Sequence, residues 1–567
     1  MTTGAAPLFS QGFVPITDEI LNNPADEDWP QYRRTHDNWA HSPLDQIDKD
    51  NVGFLQLVWS RAIDPGPMEM TPLVYMGVMY VVHPSSRIEA IDAATGDLIW
   101  EYQRTMPDQV DPVGTMRNIA LYEDKVFYSS RDGYLVALDA QTGRVAWERF
   151  MVGPEFATRY TSGPIAANGV IVTGRSCGLF GGVNNTPGGC FILGHDAQYG
   201  ELLWRVNTIA RPGEPGGDTW GDLALESRYH VSAWGVSSFD PELNLVYMGT
   251  GVPGPYPSVS QGRNGGDALY SNSTLAIDAD TGELVWYYQH LPGDDWDLDH
   301  IGERILVDTA INPSAEVQWA NSDIDPSEIR RVVWTAGKGG VQFVLDRVTG
   351  EFLWGSPLLH QNTILSISAD GTVEPNVALR HTEIGQTVVV GQRAAKGWWP
   401  GTYSQRTGAV YQPLHNSWLE QTALEWTGPS LGARRTSVRS PEHSESLGVV
   451  KAVSVSTGEV LWERYWPTLH SGGLASTAGG LVFGGDWNRR FRAYDDETGE
   501  VLWQTILNAR ISGGAISYSV DGVQYVAVGT GGGTLYDGVF DLTDLGLTSP
   551  TGSSTVFVFA LPPPLRR

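Results

Sequence analysis

The densest chemistry in the chain is the segment Gly293–His300, GDDWDLDH, which sets Asp294, Asp295, Asp297 and Asp299 around Trp296. If the segment is extended, Asp297 and Asp299 share one face. Two carboxylates placed in that way can bind a hard cation, and one of them can act as a base. A solvated acidic loop is the alternative. Single cations stand elsewhere among small or apolar neighbours. Arg117 opens an otherwise apolar strand, and Lys338 sits in the run WTAGKGG. Each could grip a ligand carboxylate or serve a surface ion pair. Glu69 is a lone charge within PMEMTP, and Trp234, within SAWG, is a flat ring beside small residues. Such a ring suits stacking on a planar cofactor, or packing.

Other chemistries read poorly. The run Gly529–Gly533 opens no helix, so it is not a dinucleotide loop. There is no P-loop, no nucleophile elbow and no zinc-protease motif, and the histidines lack zinc spacing. A hydrolase built on Asp295, Asp297 and Asp299 is a minor reading. The two cysteines, Cys177 and Cys190, form either a disulfide or two buried thiols, and no C-x-x-C-H attaches a c-type haem.

The elements that must position these residues come from a repeat. Asp92 to Trp100 and Asp139 to Trp147 share a turn, a glycine and a tryptophan at fixed spacing. The pattern returns at Asp196–Trp204, Asp278–Trp286, Asp346–Trp354, Ser454–Trp462 and Asp495–Trp503. Each copy reads as a β-hairpin whose Gly takes the positive φ of a tight loop. A lone hairpin cannot bury its faces, so the copies must stack, with each Trp flat between neighbouring sheets. Trp59 marks an eighth outer strand without its own turn, and Ser554–Ala560 can pair with that early region to close a ring. The expectation is an all-β chain: residues 1–27 as an extension, then one eight-bladed β-propeller over 28–567 with a long insertion within 355–450. In such a ring the inner strands and their loops converge on a central channel, where a site draws on several blades.

Composition agrees. The chain of 567 residues has 66 Gly, 34 Pro and 21 Trp, which suits a turn-dense β protein. Its net charge of −28 argues against nucleic acid and anionic membranes and allows a cationic partner. No apolar run is long enough to span a membrane, and no signal peptide is visible at the start.

Together the Trp repeat, the opening Asp28–Thr35 with Ser42–Ile47, Trp234-Gly235 with Gly249–Gly251, and Trp296-Asp297 resemble the pyrroloquinoline-quinone (PQQ) dependent alcohol dehydrogenases. The resemblance runs from about Asp28 to Ala560. It implies Asp297 as general base and Lys338 near the reactive ortho-quinone. It also implies Glu69, Arg117, Thr161 and Ser176 as hydrogen-bonding partners of PQQ, and Trp234 as the floor under its ring. The family's adjacent cysteines have no counterpart in Gln109–Gly114, and Cys177 with Cys190 would supply a different lid. Two family metal-ligand positions fall on Leu179 and Val252. The metal would then be rebuilt on Asp297, Asp299 and Asn184 or Asn185, or be weakened. An Asp in the place of Asp299 marks the lanthanide-using members, yet a trivalent ion wants more anionic donors, so Ca²⁺ is preferred over a lanthanide.

The implied activity is oxidation of an alcohol to its carbonyl compound in the periplasm. Electrons would leave to a soluble cytochrome c or another external acceptor. Trp398, Trp399 and the long insertion suggest a roomy mouth for a bulky or secondary alcohol. The competing reading is a non-enzymatic propeller scaffold of the outer-membrane assembly type.

Overall fold

The computed structural model describes residues 12–153, 158–177, 190–428, 431–532 and 552–563. The turn chemistry repeats as its composition dictates. Asp92 Oδ1 accepts from the amides of Ala94 (2.8 Å) and Thr95 (3.0 Å), and the amide of Gly96 bonds back to Asp92 O at 2.8 Å. The two weakened copies keep the same bonds. Tyr199 N donates to Asp196 Oδ1 at 2.6 Å, and Thr457 N donates to Ser454 Oγ at 3.1 Å. After each turn the outgoing strand carries a register shift beside its Trp, for example between Val145 and Trp147. Gln56–Ile63 shows the same shift, between Leu57 and Trp59, although no turn precedes it. This bulge identifies it as the outer strand of a sheet whose other strands are far away in sequence.

Among the described residues, eight sheets of four or five strands result, antiparallel except where His41–Ser42 pairs parallel with Ser476–Thr477. Six of them hand an indole N–H to the next, and the Trp147 ring lies against Gly200. Trp59 donates to Ala93 O, Trp100 to Ala140 O, Trp204 to Ala279 O, Trp286 to Arg347 O, Trp354 to Val455 O and Trp462 to Asp496 O. Trp503 meets Phe559 edge-on at 5.4 Å, which returns the series to the sheet of Trp59. Strand Ser554–Ala560 is hydrogen-bonded between Gln56–Ile63 and Val523–Thr530, so N- and C-terminal strands share one sheet and the β-propeller ring closes. The segment from Trp29 to Ser42 lies across the inner strands. Trp39 Nε1 bonds Leu306 O at 2.6 Å, Thr402 Oγ1 bonds Trp39 O at 2.8 Å, and His41 and Ser42 pair with Ser476 and Thr477.

The repeat glycine has a second duty beyond its turn. A Cβ on Gly143, whose φ is +70°, would lie 2.5 Å from the Trp100 ring. Gly143→Ala is therefore expected to cost roughly 1–3 kcal/mol through backbone strain and overpacking. A lowered urea midpoint with an unchanged slope checks this.

Between Phe352–Pro357 and Thr402–Ser404 the chain adds the hairpin Ile364–Ile367 with Val373–Pro375 and the strand Thr387–Val390, and between Ala409–His415 and Gly448–Ser454 it adds two more strands that complete a three-stranded sheet. In that sheet Ser417–Ala423 pairs with both Thr387–Val390 and Ala433–Arg439. In an antiparallel sheet, first strands begin and second strands end on the same side, opposite the Asp–Gly turns. Glu69, Arg117, Thr161, Trp234, Asp297 and Lys338 all lie at such ends.

Candidate active site

Asp294 builds the acidic loop. Buried beneath it, its carboxylate accepts from Trp296 N and Leu298 N, both at 2.7 Å, and from Asn272 Nδ2 at 2.8 Å. Burial pushes its carboxyl up to about 6. Asp295 turns the other way, accepting from Ser258 N at 2.6 Å and lying 3.0 Å from His381 Nδ1. These two acids hold the loop, and Asp295 is not grouped with Asp297 and Asp299, which removes the hydrolase arrangement.

Asp297 takes φ +67°, so the segment is not the extended strand whose alternation would align the two acids. Lys338 brings them together instead. Its Nζ donates to Asp297 Oδ1 at 3.1 Å and to Asp299 Oδ2 at 2.6 Å. Asp299 Oδ1 accepts from Val252 N at 2.7 Å, and its Oδ2 also accepts from Trp234 Nε1 at 3.2 Å. Asp297 Oδ2 accepts from Arg435 Nη1. Burial pushes the Asp297 carboxyl up, but Lys338 and Arg435 outweigh it and hold it at about 2.

A second ion pair also lies near Trp234. Arg117 Nη2 and Glu69 Oε2 are 2.7 Å apart, each side chain being almost fully buried. Arg117 Nη1 donates to Thr161 O at 3.2 Å and to Trp234 O at 3.3 Å. The Arg117 guanidinium lies 5.0 Å from the Trp234 ring, and Lys338 Nζ lies 5.5 Å from it. Cations therefore flank the indole, as a planar tricarboxylate would require. Arg117 Nε and Trp398 Nε1 are buried without a protein acceptor among the described residues, so donors remain for such a ligand. The chemistry of this set fits PQQ. Ser176 stands in the short strand Ser176–Cys177, which pairs with Thr158–Arg159, and Cys177 is joined to Cys190 by a disulfide. Cys177 N donates to Ser232 Oγ at 3.0 Å, which ties this strand to the Trp234 segment. Leu179, Asn184 and Asn185 lie outside the described residues.

Two features depart from expectation. Trp398 and Trp399 do not open a mouth. Both are buried, Trp398 lying 5.1 Å from the Arg117 guanidinium and Trp399 stacking on His415 at 3.7 Å. An aromatic pair beside small residues reads alike in a core and at a rim, and here it completes the core behind Trp234. The residue missed is Arg435. It sits in the insertion, and only the hairpin pairing Gln421↔Arg435 carries it to Asp297. The doublet Arg434-Arg435, in a chain with 37 Lys and Arg against 65 Asp and Glu, was the available signal.

Residues 29–357 and 352–526 match the family described as PQQ glucose/ethanol/alcohol dehydrogenase, β-propeller domain. The chain is 32% identical to the quinohemoprotein alcohol dehydrogenase ADH-IIG of Pseudomonas putida, over 89% of this chain and 72% of that one. It is 31% identical to the quinoprotein alcohol dehydrogenase PedH of a P. putida strain, over 91% and 88%. The solved structure of ADH-IIG superposes with a TM-score of 0.84 at 29% identity, covering 97% of this chain and 83% of that one. A europium-containing methanol dehydrogenase gives a TM-score of 0.84 at 25% identity, covering 96% and 100%. The propeller, the ion pairs around Trp234 and these relationships agree: the chain belongs to the PQQ-dependent alcohol dehydrogenases.

Proposed function

We propose that the protein oxidises a bulky or secondary alcohol to its carbonyl compound and passes the electrons to an external acceptor. One observation carries the reading: an ionised Asp297 and the Lys338 ammonium meet beside Trp234, next to the buried Arg117–Glu69 pair. PQQ, when bound, supplies a two-electron hydride acceptor. Trp234 supports its ring, while Arg117, Thr161 and Ser176 orient its polar edge. Asp297 Oδ2 accepts the hydroxyl proton of the alcohol, and Lys338 supplies positive charge where charge develops. Val252 and Tyr256 form a buried apolar cluster beside Arg435, with the Tyr256 ring 5.6 Å from its guanidinium. A scaffold needs no such buried charge.

Protein reconstituted with PQQ is expected to reduce an artificial dye with secondary or bulky primary alcohols. No dye reduction with any alcohol, with or without added Ca²⁺, would end the reading, and a strict methanol preference would remove the substrate class. Because Asp297 is held at about 2, kcat/KM should show no acid limb from this group down to about pH 4, with protonation costing activity only as pH nears 2. A limb centred near pH 5–6 in stopped-flow dye reduction would contradict the assignment.

The disulfide supports an oxidising compartment, in keeping with the periplasm. No helix among the described residues is long and apolar enough to cross a membrane. With a net charge of −28, the acceptor we favour is a basic cytochrome c. Its reduction rate should fall steeply as ionic strength rises to about 0.2 M, where the Debye length is below about 8 Å. A salt-independent rate would exclude a steered, basic partner.

A further inference from the structure

The family's sites hold a metal ion beside the quinone, and Asp297 and Asp299 were the expected ligands here. Ca²⁺ takes about 6–8 oxygen ligands, with no protons in the way. At Val252 the side chain offers no donor. Its amide already bonds Asp299 Oδ1, and its carbonyl accepts from Val231 N at 3.1 Å and lies 2.9 Å from His230 Nδ1. Leu179 has no donor side chain either. All four carboxylate oxygens of the pair meet an N–H: Lys338 and Arg435 on Asp297, Val252 N on Asp299 Oδ1, Lys338 and Trp234 on Asp299 Oδ2. Two carboxylates face two fixed cations, so their charge is already balanced. Among the described residues the donor set does not fit a metal.

Arg435 is held in place rather than resting there. Its hairpin is pinned to the acidic loop by Gln421 Nε2 donating to Asp295 O at 2.8 Å and by His381 Nε2 lying 3.1 Å from Gln421 O. Arg435 Nη2 also donates to Trp296 O at 3.3 Å. Arginine keeps its charge at any working pH.

We propose that Lys338 and Arg435 take the place the family gives a metal ion, so that PQQ binds and is reduced by alcohol without calcium or a lanthanide. This rests on the PQQ reading above. The balance needs no further reactant: the alcohol's O–H proton goes to Asp297, its C–H hydrogen leaves with its electron pair to the quinone, and the carbonyl compound departs. Both electrons then pass singly to the external acceptor, while two protons, one from Asp297 and one from the transferred hydrogen, leave to solvent.

The test is the full-length protein stripped with EDTA, checked by elemental analysis and loaded with PQQ. PQQ absorbance and dye reduction are compared in EDTA, Ca²⁺ and La³⁺, and Tb³⁺ is titrated while watching Trp-sensitised emission. Expected are the same PQQ uptake and turnover in all three, with no sensitised Tb³⁺ emission. In Arg435→Ala, metal-free turnover should fall roughly 10²-fold, as for loss of one charge-stabilising donor. Arg435→Lys should retain most of it, which a purely packing role would not give. PQQ bound but reduced only after Ca²⁺ or La³⁺ is added would overturn the proposal and leave the PQQ reading standing. No PQQ uptake under any condition would overturn both.

Discussion

Asp297→Asn is expected to leave a folded protein that binds PQQ yet oxidises alcohol about 10²–10⁴-fold more slowly, the usual worth of a general base. Asn is the substitution to use. At φ +67° a residue pays for left-handed backbone, and Asn visits that region far more readily than Ala. The amide also preserves the shape that Lys338 and Arg435 hold, while removing the lone pair that takes the proton. Single-turnover dye reduction separates the chemical step from PQQ binding, which absorbance follows. A variant with near-normal turnover would move the base elsewhere, and Asp299, bonded to Lys338 on the same side, would be the next candidate.

Arg117→Ala should be the most destabilising single change in the site. It removes the cation facing Glu69, itself only 1% exposed, and breaking a buried pair from one side costs about 3–5 kcal/mol. If Arg117 holds PQQ as proposed, the same change should also weaken PQQ binding roughly tenfold to a hundredfold. A double variant, Glu69→Gln with Arg117→Met, distinguishes the two effects. It should recover much of the lost stability, because no charge is then buried alone, but none of the lost PQQ affinity. Urea unfolding of the apo-protein and PQQ titration give both numbers. Full recovery of binding in the double variant would show that Arg117 serves the fold and not the cofactor.

Much of the scaffold was readable because its signal is local. The Asp–Thr–Gly turn closes on its own backbone, so each copy announces itself within a few residues. Trp59 lacked that turn and was legible only as a tryptophan at the right interval. Glu69, Lys338 and Arg117 stood out as charges among small or apolar neighbours, since a buried charge must have a partner. The division of labour among the four aspartates was not readable. Their neighbours in sequence are nearly the same, and what separates Asp294 and Asp295 from Asp297 and Asp299 is contact with Asn272, His381, Lys338 and Arg435, all from other segments. Arg435 was hidden for the same reason, because the pairing of Ser417–Ala423 with Ala433–Arg439 exists only in three dimensions.

The strand exchange that closes the ring also orders events in time. Gln56–Ile63 leaves the ribosome long before its partner Ser554–Ala560. Until that late strand arrives, the earliest-made outer strand has an open edge, and the sheets flanking the joint lack a neighbour. Most of the chain must therefore wait, partly assembled, for a contact of very long sequence separation, the kind that slows folding most. The cofactor cradle spans Glu69 to Arg435, so it tightens only when the circle does. A chain clipped within Ser554–Ala560 is therefore expected to lose PQQ binding as well as the joint, which PQQ titration of the clipped protein checks.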